Sequence, residues 1–371
     1  MKNWKLILSI FIPVVLIIGF MFFLAQDSDI AKAIKELNES TNTEQVKNTY
    51  DKYKNVLTII NNKGEKEVDE NFLKFVREKL TSLNLSEDEI DICKSWLPPA
   101  PTSLNLIIVP DLSRRIIDEI NNPDQIKNDT ILLNHIWTAF ENHTRLKMNT
   151  KDRLIVDVTD EGQASGQFRT LANNLIFDLS EHNRGQINRL YFTDEVRNRY
   201  TNSIAKLYAL GKENPLGGDY WNYFRRNLSR HIKKPTLFDN YRNVLIIITD
   251  GYLEAEHRLY TGDWRTRNAV ANRIKQGNPI EETVLNRIKI PDIAQKFPTL
   301  EILILEVNER KRRSPQEPND PGTTEDYDIL QILWTDWFKR LEIKNVNDNF
   351  FIHRNDATQL TKNEIDKFLN K

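Results

Sequence analysis

Three short polar segments carry residues with the chemistry of a cation site. Residues 110–115 read PDLSRR, residues 215–219 read PLGGD, and residues 249–251 read TDG. Carboxylate and hydroxyl oxygens on loops are the ligands that suit Mg²⁺, Mn²⁺ or Ca²⁺. These segments therefore predict a candidate site for a divalent cation.

Short apolar strands that alternate with helices would position these segments. The alternation predicts an α/β fold with a doubly wound, mostly parallel sheet covered on both faces. Loops at the carboxyl ends of such strands line one cleft. Strands are predicted over 104–109, 152–159, 174–179, 244–249, 300–307 and 349–353, and helices over 129–147, 193–210, 219–232, 265–275, 326–341 and 357–369.

This layout resembles a von Willebrand factor A (vWA) domain over residues 102–371. The family has D-x-S-x-S after its first strand, a threonine after a Gly-Gly pair, and an aspartate in a T-D-G-like turn. Asp111 and Ser113 match the first two positions, Gly217-Gly218 match the glycine pair, and Asp250 matches the turn aspartate. The resemblance implies a metal-ion-dependent adhesion site.

Two residues depart from the family pattern: Arg115 stands where the second serine belongs, and Asp219 stands where the threonine belongs. In one interpretation Arg115 pairs with Asp219, and with Asp111 or Asp250, and its guanidinium takes the place of the metal. In the other, Asp219 ligates Mg²⁺ together with Asp111, Ser113 and Asp250, while Arg115 points outward. The site then has either no cofactor or Mg²⁺.

Residues 6–24 (LILSIFIPVVLIIGFMFFL) carry no charge. The run is long enough to cross a hydrocarbon core of about 30 Å. Its length and its large terminal residues favour an uncleaved transmembrane anchor over a signal peptide. Lys2 and Lys5 precede the run, so the positive-inside bias predicts a cytoplasmic N-terminus. We expect a single-pass protein of a bacterial inner membrane whose C-terminal domain lies outside the cytoplasm.

The sequence predicts three regions: a membrane anchor over residues 1–26, a helical neck over 27–101, and a vWA-like domain over 102–371. Within the neck, one helix is predicted to run from Val46 to Ile60 because apolar residues keep helical spacing there. The basic, proline-containing run 310–322 predicts a solvated loop.

Composition excludes several classes of protein. The net charge of -1 over 371 residues argues against nucleic acid as a partner. The single cysteine, Cys93, excludes an intrachain disulfide framework and a multi-cysteine metal cluster. We predict that Cys93 packs as a small apolar residue at a helix end.

The predicted function is that of a membrane-anchored, non-enzymatic binding module that recognises a protein partner through its strand-end loops. One form of this hypothesis makes the chain a subunit of a membrane complex. Tyr220 and Trp221, beside the cleft, are the predicted partner contacts. Two alternatives stay open: a metal-dependent hydrolase that uses Asp111 and Asp250, and a structural subunit with a vestigial site. The hydrolase is disfavoured because no nucleophile and base can be paired from the sequence.

Overall fold

The computed structural model describes most of the chain beyond residue 28. The predicted anchor at residues 6–24 lies outside the described residues. Within the part of the chain that is described, no helix is both long enough and apolar enough to cross a membrane. The described residues are 29–60, 64–99, 102–147, 150–159, 166–180, 182, 187–215, 218–236, 239–255, 258–310, 325–354 and 358–371.

The chain divides into two compact units, of which the first takes residues 1–100 and 236–238 and the second takes 101–235 and 239–371. The first unit buries Phe72, Leu80 and Cys93 in its core. It contains helices α1 (29–39), α2 (Thr43–Tyr53), α3 (Glu70–Ser82) and α4 (Glu87–Trp96), and a hairpin of strands β1 (Thr58–Ile60) and β2 (Lys66–Val68).

The helix predicted from Val46 to Ile60 is too long. Helix α2 ends at Tyr53, and Thr58–Ile60 pairs antiparallel with Lys66–Val68. Thr and Ile are β-branched and favour a strand, which helical spacing alone does not reveal.

The second unit is built on a six-stranded sheet, as the sequence predicts. Its order is β10-β9-β6-β3-β4-β5. Every neighbouring pair is parallel except β4 and β5, which are antiparallel. The strands are β3 (Thr102–Pro110), β4 (Arg153–Val156), β5 (Ile176–Asp178), β6 (Asn240–Ile248), β9 (Leu300–Val307) and β10 (Phe351–His353).

Helices cover both faces of this sheet. Along β3, Leu106 and Ile108 enter the core on one face, and Ile107 and Val109 enter the core on the other. The first face packs against α5 (Gln125–Thr144), α6 (Gly166–Asn174), α7 (Asp194–Glu213) and α12 (Gln359–Leu369), and the second against α8 (Tyr220–Asn222), α9 (Trp264–Lys275), α10 (Ile280–Leu285) and α11 (Asp326–Arg340). A small hairpin joins β7 (Glu254–Ala255) to β8 (Arg258–Leu259).

Some helices differ from the prediction. The helix expected over 219–232 is a short α8, then a π-helical turn at Tyr223–Asn227 and a 3₁₀ turn at Leu228–Arg230. Tyr223 and Phe224 are consecutive and both fully buried. A wider turn lets both rings enter the core. The sequence does not predict α6 and α10 because each buries only two residues.

Candidate functional site

Strand register brings two of the polar segments together. Pro110 lies opposite Ile248 at the carboxyl ends of β3 and β6. The Asp111 backbone N–H continues the ladder and donates to the Ile248 carbonyl at 2.9 Å. In chain order the six strands lie 3-2-1-4-5-6, so β3 and β6 flank the point where the order reverses. Ligands of doubly wound sheets bind at this switch point.

Asp111 lies at the centre of this site and is 1% exposed. Its Oδ1 accepts the Ser113 backbone N–H at 2.9 Å, and its Oδ2 accepts the Thr249 hydroxyl at 2.8 Å. A Cβ on Gly218 would lie 2.9 Å from Asp111 Oδ1, so only glycine lets that backbone approach. The structure therefore brings all three predicted segments to one place, with Gly217 outside the described residues.

Arg115 occupies the interior of the site. Its Nη2 lies 2.5 Å from Asp129 Oδ2 and 3.0 Å from the Ile248 carbonyl. Its Nε donates to the Asp111 carbonyl at 3.1 Å and lies 3.6 Å from the Asp111 carboxylate. Burial disfavours the charged form, but the Asp129 and Asp111 carboxylates outweigh it and raise the pKa of Arg115 above its usual value. The guanidinium therefore stays charged.

Asp129 on α5 is the residue that the sequence analysis misses. The carboxylate is fully buried and accepts the Tyr208 hydroxyl at 2.8 Å and the Gln125 amide at 2.6 Å. A signal was available in the sequence. Asp129 lies three and four residues before Leu132 and Leu133, so it falls on the apolar face of its helix, where an aspartate needs a buried partner.

Asp219 has a different role from the predicted pairing with Arg115. Its Oδ1 accepts the Asn222 backbone N–H at 3.0 Å, and its Oδ2 accepts the Asn222 side-chain amide at 2.5 Å. Asp219 thus caps the N-terminus of α8. Among the described residues, the ion pairs of Arg115 go to Asp111 and Asp129.

Asp250 is held by a second arginine. Arg310 Nη2 and Nε lie 3.3 and 3.4 Å from Asp250 Oδ2, and the guanidinium also pairs with Glu254 and lies 4.1 Å from the Tyr252 ring centroid. Burial raises the pKa of Asp250 to about 6, with Arg310 opposing and Asp111 adding to the shift. Arg310 is therefore not part of a solvated loop, and residues 311–322 of that prediction lie outside the described residues.

The two predicted partner contacts differ in exposure. Tyr220 is fully buried, because its ring packs against Trp334 in the core and its hydroxyl donates to the Val109 carbonyl at 3.3 Å. In this structure its side chain is therefore not exposed for a partner to contact. Trp221 is half-buried and donates to the Pro291 carbonyl at 3.0 Å. It stacks on Tyr260 with ring centroids 5.5 Å apart.

Glu306, at the end of β9, is a further buried acid that the sequence analysis misses. Its φ of 68° is in the left-handed region, which is uncommon for a residue with a side chain. Its Oε1 has no hydrogen-bond partner among the described residues, and its Oε2 lies 3.4 Å from the Gln125 amide nitrogen and 3.7 Å from Arg354 Nε. Burial, reinforced by Asp129, raises the pKa of Glu306 to about 7.

The donors of the predicted metal site are already engaged by protein groups. Arg115, Thr249 and Ser113 contact Asp111, and Arg310 contacts Asp250. In the described part of the chain, no group of three or more His, Cys, Asp or Glu side chains is arranged to hold a metal ion. Arg115 contacts Asp111 and Asp129, and Arg310 contacts Asp250 and Glu254, so a divalent cation would compete with two guanidinium groups for these carboxylates.

Replacing Arg115 with Met should destabilise the fold strongly. The change leaves Asp111 and Asp129 buried without their cation, and breaking such a pair costs about 3–5 kcal/mol. Urea unfolding measures the loss. The exposed neighbour provides the control, since Arg114→Gln should change the free energy of unfolding by less than about 0.5 kcal/mol. Equal effects of the two changes would contradict this assignment.

Glu306→Gln should change how stability depends on pH. The folded-state pKa is raised from 4.5 to about 7, so the stabilisation by this group is present below pH 4.5 and is lost as pH rises through 7. The glutamine variant keeps a neutral group throughout. We therefore compare the free energy of unfolding of Glu306→Gln with that of the wild type at two pH values. Between pH 4.5 and pH 8 this difference should shift by about 3 kcal/mol in favour of the variant.

Urea unfolding at several pH values measures this difference, with Glu309→Gln as the control three residues away. That control should follow the wild-type profile. Parallel profiles for the wild type and Glu306→Gln would refute the raised pKa.

No family model matches the chain, and no curated protein or solved structure matches it. The vWA resemblance therefore stays a prediction that depends on residues 111–113, 217–219 and 249–251.

Proposed function

We propose that the chain is a membrane-anchored, vWA-like module that binds a protein partner at the carboxyl edge of its sheet. The strand order and the convergence of Asp111, Gly218 and Thr249 at the switch point support the resemblance. The apolar run at residues 6–24 supports the anchor. We place the partner-binding domain outside the cytoplasm on the positive-inside bias.

The observation that carries the proposal is a pair of exposed isoleucines on the segment that follows β3. Ile117 is 42% exposed and Ile120 is 56% exposed. Exposed apolar side chains at a site where ligands bind are typical of contacts with a protein partner.

Hydrogen bonds hold this segment in place. Asn308 donates to the Asn121 carbonyl at 2.5 Å, Arg354 donates to the Pro123 carbonyl, and Asp118 accepts the Asn121 side-chain amide at 2.8 Å. A surface fixed in this way loses little conformational entropy on binding, which favours affinity.

We further propose that the site works without a divalent cation. Arg115 contacts both Asp111 and Asp129 from the interior, and Arg310 pairs with Asp250 and Glu254. In this proposal the charges at the switch point fix the shape of the loops, and the partner contacts the surface that those loops present. Enzymatic activity is not part of the proposal.

Titration calorimetry with Mg²⁺ and Mn²⁺ tests the metal-free site. We expect no saturable binding at micromolar concentrations, because a cation would have to displace a buried guanidinium. Micromolar binding that disappears in Asp111→Ala would overturn the proposal and favour the site with Asp111, Ser113, Asp219 and Asp250 as ligands.

Partner capture from detergent-solubilised membranes tests the surface. Ile120→Asp should abolish recovery of a protein that copurifies with the wild type, because a charge would replace an apolar contact. Leu190→Asp is a matched control, since Leu190 is 54% exposed on the segment that contacts the end of α5. The control should retain the partner. Loss in the control, or retention in Ile120→Asp, would contradict the assignment of the binding edge.

A further inference from the structure

A polar cavity lies at the carboxyl end of β4, apart from the switch point between β3 and β6. It measures about 100 Å³ and is lined by Asp157, Arg169, Asn227, Arg230 and His231. A water molecule needs roughly 10–15 Å³ by this measure, so the cavity has room for a ligand of several non-hydrogen atoms.

Asp157 is a buried acidic residue in the lining of this cavity. Its Oδ2 lies 2.7 Å from His231 Nε2 and accepts the Tyr223 hydroxyl at 3.2 Å, and its Oδ1 accepts Arg169 Nη1 at 3.4 Å. Burial opposes ionisation, but hydrogen bonding from His231 outweighs it, and the pKa of Asp157 is lowered. Both oxygens of the carboxylate are therefore engaged, and they orient the two basic side chains.

The other lining groups are mostly hydrogen-bond donors. Two guanidinium groups, on Arg169 and Arg230, face one carboxylate, so the described residues that line the cavity, apart from His231, carry one excess positive charge. Asn227 adds an amide that donates and accepts. An excess of fixed donors and positive charge around a small cavity favours an anion.

We propose that this cavity binds a phosphate group, either inorganic phosphate or a phosphate monoester. A guanidinium group binds two phosphate oxygens through parallel hydrogen bonds. A second arginine balances the second negative charge of the phosphate. Arg230 is exposed at the rim, so the alcohol part of a monoester can extend into solvent. The site does not depend on the protein-binding proposal, because it lies on β4 and involves none of the residues at the switch point.

Titration calorimetry of the full-length protein in detergent tests the proposal, with inorganic phosphate, glycerol 2-phosphate and acetate as probes at constant ionic strength. We expect saturable binding of both phosphates and at least tenfold weaker binding of acetate, which carries a single charge. Tighter binding of inorganic phosphate would identify free phosphate as the ligand, and tighter binding of glycerol 2-phosphate would identify a phosphate monoester.

Arg230→Gln should weaken phosphate binding about tenfold or more, because it removes a charge-assisted hydrogen bond. Arg225→Gln is the matched control. Arg225 is also exposed and lies over the Trp221 ring at 5.1 Å, but it does not line the cavity. The control should bind phosphate as the wild type does. Circular dichroism and the unfolding midpoint should be unchanged in both variants.

The proposal would be overturned by the absence of saturable binding to either phosphate, by unchanged binding in Arg230→Gln, or by equal weakening in Arg225→Gln. The last would show general attraction of anions to a basic surface. Acetate binding as tight as phosphate binding would contradict the phosphate class.

Discussion

The carboxyl edge of the sheet depends on one buried interaction, the contact of Arg115 with Asp111 and Asp129. Each of these groups lies in the interior, where an unpaired charge costs several kcal/mol. The guanidinium also donates to the carbonyls of Asp111 and Ile248, so it links the ends of β3 and β6 to helix α5. A cation supplied by the chain itself thus holds the segments around the switch point.

A second arginine, Arg310, also forms ion pairs with acidic side chains on the neighbouring loop. Arg310 follows β9 and contacts Asp250 after β6, and Tyr252 extends the network through its hydroxyl to Asp326 on α11. Buried acids at strand ends are costly unless they are paired, so each one fixes a partner from a different element. The segment that carries Ile117 and Ile120 follows directly from Arg115, so the buried ion pairs of Arg115 help to fix that segment.

The sequence could predict the sheet, because continuous apolar strands such as 104–109 and 244–249 need two covered faces. It could also predict that Asp111 and Asp250 come together, since both follow parallel strands. The partners of these acids could not be predicted from spacing alone. Asp129 and Arg310 reach the site through the packing of α5 and the end of β9, and those contacts form only in the folded chain.

Local sequence propensity also fails to predict the burial of Tyr220 and the backbone conformation of Glu306. Tyr220 begins a helix beside the cleft, yet its ring packs in the core against Trp334, and the π-helical turn after α8 buries Tyr223 and Phe224 as well. Glu306 lies within an apolar strand and shows no pattern that would reveal its left-handed backbone. Both exceptions concern residues that surround the buried charges, where the local rules are most often overridden.

A crystal structure of the full-length protein grown with Mn²⁺ tests most directly whether a guanidinium takes the place of a cation. Anomalous scattering locates the metal without reference to the protein. We expect no anomalous peak at coordination distance from Asp111 or Asp250, and density for the Arg115 guanidinium against Asp111 and Asp129. A peak bound by Asp111, Asp219 and Asp250, with Arg115 turned outward, would contradict this account.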